Sequence, residues 1–266
     1  MSQTSRVALA QRYKTPIFGG TRSLPSDAPR DRILLAIFAY NEGEKLHTTL
    51  GRIPADLPCD VVVVDDASTD GSVDLIDRSK VEVLRMPENN GLGAAIRETI
   101  WHARRRDYHI LCIMAGNDKD RPEEVPRLLA PIRDDGFYIA FGSRYLPGGA
   151  YGNMPRYRQL ATRYVHPALF SFFVGSRLTD TSNGFRAIHL SLFDDPAIKL
   201  DQRWLDDYEL ERYIQFKAIK LGYRYIEVPV TKIYPDKKLG QTKMKPFTGW
   251  WSMLKPIFVL GLRLRD

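Results

Sequence analysis

The chain contains no run of about 18 uncharged apolar residues, the length a helix needs to cross a bilayer. Its N-terminus lacks the apolar core of a signal peptide, so a cytosolic protein is expected. Cysteine is nearly missing: Cys59 and Cys112 are the two among 266 residues. That excludes a disulfide scaffold and a cysteine-rich zinc module. Both adjoin apolar runs and are expected as buried free thiols. There is no internal repeat and no low-complexity tract. There is no acidic excess either, since 39 Lys and Arg face 32 Asp and Glu for a net charge of +7. Such a surplus favours anionic partners. The basic residues are not interleaved with aromatics in one module, which argues against nucleic acid.

What is present is alternation. Apolar runs fit strands buried on both faces at 32–39 (RILLAIFA), 59–64 (CDVVVV), 81–85, 109–114 and 138–142. Between them, helices are expected at 44–52, 72–79, 94–106 and 122–134. Strand-helix alternation through residue 145 implies a mostly parallel sheet flanked by helices. Beyond it, a helix is expected over 156–174, interrupted by Pro167, and another over 205–221, with strands at 186–189 and 223–230. Residues 1–31 read as a basic extension, ordered in part at best.

Parallel sheets bind ligands beyond the carboxyl ends of their strands. Polar, acidic and glycine residues sit at four of those ends: Tyr40-Asn41-Glu42, Asp65-Asp66, 89–93 and Gly116-Asn117-Asp118. Adjacent aspartates repel unless something uses them, and a carboxylate there can accept hydrogen bonds from a base or ribose. The alternative for Asp65-Asp66 is a cap with a solvated neighbour. The glycines of 89–93 (NNGLG) open a helix, where backbone can approach a phosphate, or they form an ordinary turn. Arg97 then faces the crevice or the solvent. Asn117, Asp118 and Asp120 offer oxygens suited to Mg²⁺ or Mn²⁺, or a polar loop capping the next helix.

In order, Ala39-Tyr40-Asn41-Glu42, VVVVDDASTDGS at 61–72, NNGLGAAIR at 89–97, GSRYLPGG at 142–149, DTSNGFRA at 180–187 and LGYRYIEVPV at 221–230 resemble the family 2 glycosyltransferases of the GT-A fold. The similarity is greatest to the dolichyl- or polyprenyl-phosphate sugar synthase branch and covers about residues 32–245. It implies a GT-A, Rossmann-like α/β domain and inverting transfer of a sugar from a UDP- or GDP-linked donor to a polyprenyl phosphate. The implied nucleotide-sugar site comprises Ala39, Tyr40, Asn41, Glu42, Val64, Asp65, Asp66, Gly91, Arg97, Gly116 and Asn117. Arg144, Lys237 and Lys243 would steady the charge that grows on the leaving diphosphate. Arg144, Arg158 and Thr162 would hold the acceptor phosphate.

The family's aspartate-x-aspartate metal motif falls on Ala115-Gly116-Asn117, and the next ligand position is Lys119. Three readings stay open. Asn117 with Asp118 or Asp120 holds Mg²⁺ or Mn²⁺, which is the working expectation; or Lys119 replaces the ion; or the site is catalytically weak. The competing functions are a related transferase with a hydroxyl acceptor, for which Asp180, Asp206, Asp207 and Glu209 are candidate bases, and a non-catalytic nucleotide-sugar sensor. Val165 to Val174 and Trp250 to Leu264 are apolar, flanked by basic residues and too short to span. They suit a membrane interface, with 246–266 as an amphipathic membrane-associating segment. Core helices or packing in a homo-oligomer would explain them as well. The resulting expectation is a peripheral protein on the inner face of the membrane.

Overall fold

Seven residues without a charge, Ile33–Ala39, become β2, and all seven are buried. The computed structural model describes residues 17–236 and 248–265, with backbone alone for 248–250. β2 pairs in parallel with β3 (Asp60–Asp65) and with β5 (Ile110–Ala115), and β3 pairs in parallel with β4 (Glu82–Arg85). The register sets Ala39 beside Asp65 and Phe38 beside Ala115, so three strand ends lie side by side. β8 (Arg186–His189) runs antiparallel between β5 and β6 (Ile139–Ser143). β9 (Tyr225–Pro229) is parallel to β6.

β1 (Ile17–Gly19) closes that edge, antiparallel to β9. The stretch before residue 32 therefore contributes a strand and a buried Leu24, which its turn-rich composition conceals. The eight-stranded order is β1-β9-β6-β8-β5-β2-β3-β4, matching the expected mostly parallel sheet. From β2 the chain moves out to β3 and β4, then crosses back to β5 on the other side. That reversal places a switch point between β2 and β5, where such folds open a crevice.

The strands feed two cores because successive side chains point to opposite faces. Leu34, Ala36 and Phe38 face α2 (Leu92–Arg105) and the later helices; Leu35 and Ile37 face α1 (Glu44–Gly51) and α3 (Val125–Asp135). Cys112 is buried among them, and burial pushes its thiol well up; Cys59 is half-buried and pushed up to about 12. Both are free.

Three helix expectations change. Residues 72–79 form turns, because Asp70 binds the Ser72 amide and hydroxyl, and Asp77 does the same for Ser79. Such local bonds compete with the helical ladder. The helix over 156–174 is continuous but changes pitch: α4 (Arg156–Leu160), a π-helical turn (Ala161–Val165), then α5 (His166–Val174). Pro167 offers no amide and crowds the preceding turn, and the widened turn accommodates it. The helix expected from Leu205 starts later, as α6 (Glu209–Lys220).

α7 (Thr248–Gly261) packs on α5 and α6. Its Met253, Ile257 and Leu260 are buried, while its Trp251 and, just past its end, Leu262 and Leu264 stay exposed. One ring nitrogen of buried His166 lies 3.2 Å from the Met253 carbonyl and the other 2.6 Å from the Thr181 hydroxyl, which ties α7 to α5. A two-stranded parallel ribbon, β7 (Ala150–Gly152) with β10 (Thr231–Ile233), completes the fold. The Ile233 amide donates to the Lys119 carbonyl at 3.0 Å, which draws β10 over the end of β5.

Candidate active site

A cleft of about 910 Å³ opens where β2, β3 and β5 end. Of the residues anticipated from sequence, Ala39, Tyr40, Asn41, Glu42, Asp66, Gly91, Asn117, Arg144, Arg158 and Thr162 line it. Val64, Asp65, Arg97, Gly116 and Asp118 do not. Lys237 and Lys243 lie outside the described residues.

The aspartate pair divides its work. Asp65 is fully buried, accepting from the Ser68 amide at 2.9 Å and from Arg85 Nε at 2.7 Å. Asp66 faces the cleft, half-buried. Burial raises its pKa, a hydrogen bond from the Asn90 backbone opposes that, and the charges of Asp65 and Asp207 add to it. A crowded carboxylate of this kind gains by accepting hydrogen bonds from a ligand. Asn41 stands at φ +50°, and its Oδ1 accepts from the Thr69 amide at 2.7 Å and the Asp70 amide at 3.2 Å. It thus fastens the loop after β2 to the loop after β3. Glu42 pairs with Lys45 at 2.7 Å.

The glycines of 89–93 serve a different neighbour from the one anticipated. A Cβ on Gly91 would lie 2.5 Å from the Asp206 carbonyl, and one on Gly93 1.9 Å from the Leu205 carbonyl. Gly91 stands at φ +94°. The backbone they admit is the chain's own 205–207 segment, whose Asp206 carbonyl also accepts the Ala94 amide at 3.0 Å. Arg97 binds the same segment at Asp206, 2.7 Å away, and also reaches the Leu200 carbonyl at 3.3 Å. These contacts hold Asp207, which does line the cleft, in place.

Arg144 is 3% exposed and reaches the cleft from the end of β6. Asp180 grips it through Nε at 2.6 Å, Nη2 at 2.7 Å and the Arg144 amide at 3.1 Å. Burial alone would weaken both charges, but each outweighs that cost for the other; the arginine pKa rises and the aspartate pKa falls. Glu227 of β9 holds this turn, accepting from the Thr179 amide and hydroxyl and from the Asp180 amide at 2.8–3.0 Å. Asp180, a candidate base from sequence, is therefore the support of Arg144. On the helix below, the Thr162 hydroxyl donates to the Arg158 carbonyl at 2.8 Å and lies 2.7 Å from the Tyr145 hydroxyl.

The metal position stands or falls on its donors. Gly116 packs tightly, since a Cβ there would meet Leu46 at 2.9 Å. Asp118 turns away, paired with Arg52 and, at 3.7 Å, with Arg121. Asp120 is buried and bound through both oxygens by Lys232 at 2.6 and 2.7 Å. Asn117 Oδ1 is buried without a partner among the described residues. No group of three or more His, Cys, Asp or Glu able to hold a metal occurs among the described residues. A divalent ion asks for several hard oxygen ligands, and these residues do not fit one. The expectation that Asp118 is a ligand meets its arginine pairing as the physical obstacle.

Lys119 occupies the spot instead. Its ammonium lies 4.5 Å from the centre of the Tyr234 ring. Burial first, then the charges of Lys232 and Arg158, bring its pKa down to about 7. Lys232, Tyr234, Ser182 and Arg212 also line the cleft and escaped the sequence reading. Arg212 lies within the helix expected over 205–221 and Lys232 and Tyr234 just beyond the strand expected at 223–230, with no motif to single them out. Only the β7–β10 pairing and the seating of α6 bring them in.

A switch-point crevice with a carboxylate at one strand end and buried cations in its wall is the kind of site at which nucleotide-binding α/β folds receive anionic ligands. The model of glycosyl transferase family 2 matches residues 35–200, and the chain belongs to that family; it is a glycosyltransferase. It is 35% identical over 221 residues to an undecaprenyl-phosphate mannosyltransferase of Micrococcus luteus, covering 80% of this chain and 87% of that one. It is 33% identical to a polyprenol monophosphomannose synthase of Mycolicibacterium smegmatis, covering 81% and 82%. In fold it is similar to Mycobacterium tuberculosis glucosyl-3-phosphoglycerate synthase, a GT-A enzyme, with a TM-score of 0.64, 16% identity and coverage of 89% and 82%. Another structure of that synthase, with a TM-score of 0.63, 17% identity and coverage of 89% and 80%, contains Mn²⁺ and UDP-glucose.

Proposed function

We propose that this chain transfers a sugar from a nucleoside-diphosphate sugar to a polyprenyl phosphate at a membrane surface. The observation that carries the reading is one cleft joining Asp66 at its nucleoside end to Arg144 and Arg158, beside an exposed apolar helix face. The two mannosyltransferase relatives support the acceptor class.

Charge development decides what the residues do. As the anomeric bond breaks, negative charge grows on the departing diphosphate, and preorganised cations stabilise it. Arg144 suits that work because Asp180 has already fixed its guanidinium, so no reorganisation is needed when charge appears. Lys237 and Lys243 are assigned the same work by resemblance. Arg158, with Thr162 one turn on, receives the acceptor phosphate. A phosphate monoester is largely ionised near neutral pH, its second pKa being about 6, so it attacks without a strong general base. Direct attack inverts the anomeric centre. Of the acids at 206–209, Asp207 is the one that supports a hydroxyl acceptor instead, because it lines the cleft, whereas Asp206 is taken by Arg97 and Glu209 by Lys255. No step is assigned to a divalent ion.

The apolar face comprises Tyr157, Leu160, Tyr164, Val165 and Phe172 of α4, the π turn and α5, all more than half exposed. Arg156 and Arg163 are exposed on the same stretch. Aromatic and cationic side chains together suit the headgroup region, and a lipid tail resting there would leave its phosphate near Arg158. No helix among the described residues is long and apolar enough to cross a membrane. A peripheral position on the membrane's inner face accords with this.

The test is transfer itself. Purified protein receives UDP- and GDP-linked hexoses with polyprenyl phosphate in anionic vesicles. Radiolabel should pass into the lipid fraction, and Arg158→Ala should raise the lipid KM more than the donor KM. Equal transfer to a water-soluble hydroxyl acceptor, without vesicle binding, overturns the lipid reading.

A further inference from the structure

Lys119 is 8% exposed, yet its side chain lines the cleft. An ammonium carries three hydrogen-bond donors and no acceptor. None of the three meets an acceptor among the described residues; the contact present is the face of the Tyr234 ring at 4.5 Å. The carboxylates nearby are already engaged. Asp120 binds Lys232 through both oxygens, and Glu42 binds Lys45 at 2.7 Å. Lys119 thus brings a charge that none of these carboxylates pairs by direct contact. Arg158 lies 5.8 Å from the centre of the same Tyr234 ring on the cleft wall, so the ring contacts two cations. A buried charge in that state is costly until an anion reaches it.

The anion's identity follows from position. Lys119 stands four residues past the end of β5, whose Ala115 is in register with Phe38 of β2, at the crevice that Asp66 and Tyr40 also line. A nucleoside held at Asp66 would carry its diphosphate along this wall. The same wall fits a cation poorly, because Asp118 pairs with Arg52 and lies outside the cleft lining, Asp120 is bound through both oxygens by Lys232, and the amide oxygen of Asn117 carries no charge.

Resting on the glycosyltransferase reading, we propose that Lys119, braced by Tyr234 and backed by Lys232, binds the donor's diphosphate directly, in place of a divalent metal. Lysine serves here as a compact point charge with three donors, able to bridge oxygens of both phosphates. The ammonium that binds the diphosphate in the ground state also stays with it as the leaving group gains charge. Transfer then runs without added metal.

The experiment measures UDP and GDP binding by calorimetry, each in excess EDTA and each with Mg²⁺ or Mn²⁺. It uses the full chain and Lys119→Met, which keeps an apolar stem against Tyr234. Circular dichroism and melting temperature confirm that the variant is folded; if it is not, Lys119→Gln replaces it. One nucleotide should bind equally well in EDTA and in metal. The variant should bind it about tenfold to a hundredfold more weakly, the effect of losing a charged hydrogen bond. Binding that requires metal overturns this inference and leaves the glycosyltransferase standing. So does a folded variant that binds as tightly as the parent. Failure of both nucleotides to bind in either buffer overturns the donor reading along with it.

Discussion

Replacing Asp180 with asparagine tests the support of the site more sharply than replacing any residue in its wall. The Arg144–Asp180 pair is buried on both sides, with side chains 3% and 0% exposed. Three hydrogen bonds of 2.6–3.1 Å converge on the carboxylate from Arg144. Removing one partner of such a pair leaves a buried charge without its counter-charge, a loss of about 3–5 kcal/mol. Asparagine retains one oxygen acceptor, so the lower end applies. With total stabilities of about 5–15 kcal/mol and urea slopes near 3 kcal/mol per molar for a large domain, the midpoint should fall by about 1 M.

The acid dependence carries a sign. The Asp180 carboxyl lies below its ordinary 3.8 in the folded chain, since Arg144 outweighs burial. Between the two values the unfolded chain binds the extra proton, so the pair's contribution is complete above pH 3.8 and is lost as pH falls through the folded value. The stability gap between parent and Asp180→Asn should therefore narrow in acid. Urea titrations followed by circular dichroism at several pH values read this directly. Coincident midpoints at neutral pH, or a gap that persists unchanged in strong acid, would refute the reasoning.

Asp66→Ala should weaken nucleotide-sugar binding by about 1–3 kcal/mol with little change in melting temperature, if Asp66 holds the nucleoside by hydrogen bonds; calorimetry decides. Gly93→Ala brings a methyl within 1.9 Å of the Leu205 carbonyl and should cost about 3 kcal/mol or more, with kcat falling as Asp207 is displaced. Burial raises Glu227 from 4.5 to about 7. The folded chain then holds the extra proton between those values, and stability from this group falls as pH rises across that window; Glu227→Gln should flatten the slope in urea titrations. Phe172→Asp, at a residue 78% exposed, should leave the melting temperature unchanged and reduce sedimentation with anionic vesicles. Equal sedimentation would remove α5 from the membrane face.

Much of the sheet was legible because its strands are buried on both faces and read as unbroken apolar runs, as Ile33–Ala39 and Ile110–Ala115 do. β1 was not, since three residues at an edge carry no pattern. The turns at 72–79 replace the expected helix because Asp70 and Asp77 bond locally, which hydrophobic spacing does not report. In the site, Asp66 and Arg144 could be named from the motifs around them. The roles of Asp65, Arg97 and Asp180 could not, because each is decided by a partner at least 20 residues away: Arg85, Asp206 and Arg144.

The order of strands and helices, the family motifs and the loss of the usual metal carboxylates are properties of the chain read in one dimension. They rest on local spacing, so the sequence alone determined them. Which carboxylates remain available to a ligand is a property of three dimensions. Asp118 and Asp120 are two residues apart, and folding delivers one to Arg52 of the loop after α1 and the other to Lys232 of β10. Lys119 between them enters the cleft, where its contact is the Tyr234 ring rather than either neighbouring carboxylate. Ion pairing depends on distance through space, to roughly the inverse first power, and on the dielectric that burial creates. Neither quantity exists until the fold has brought β5, β10 and α1 together.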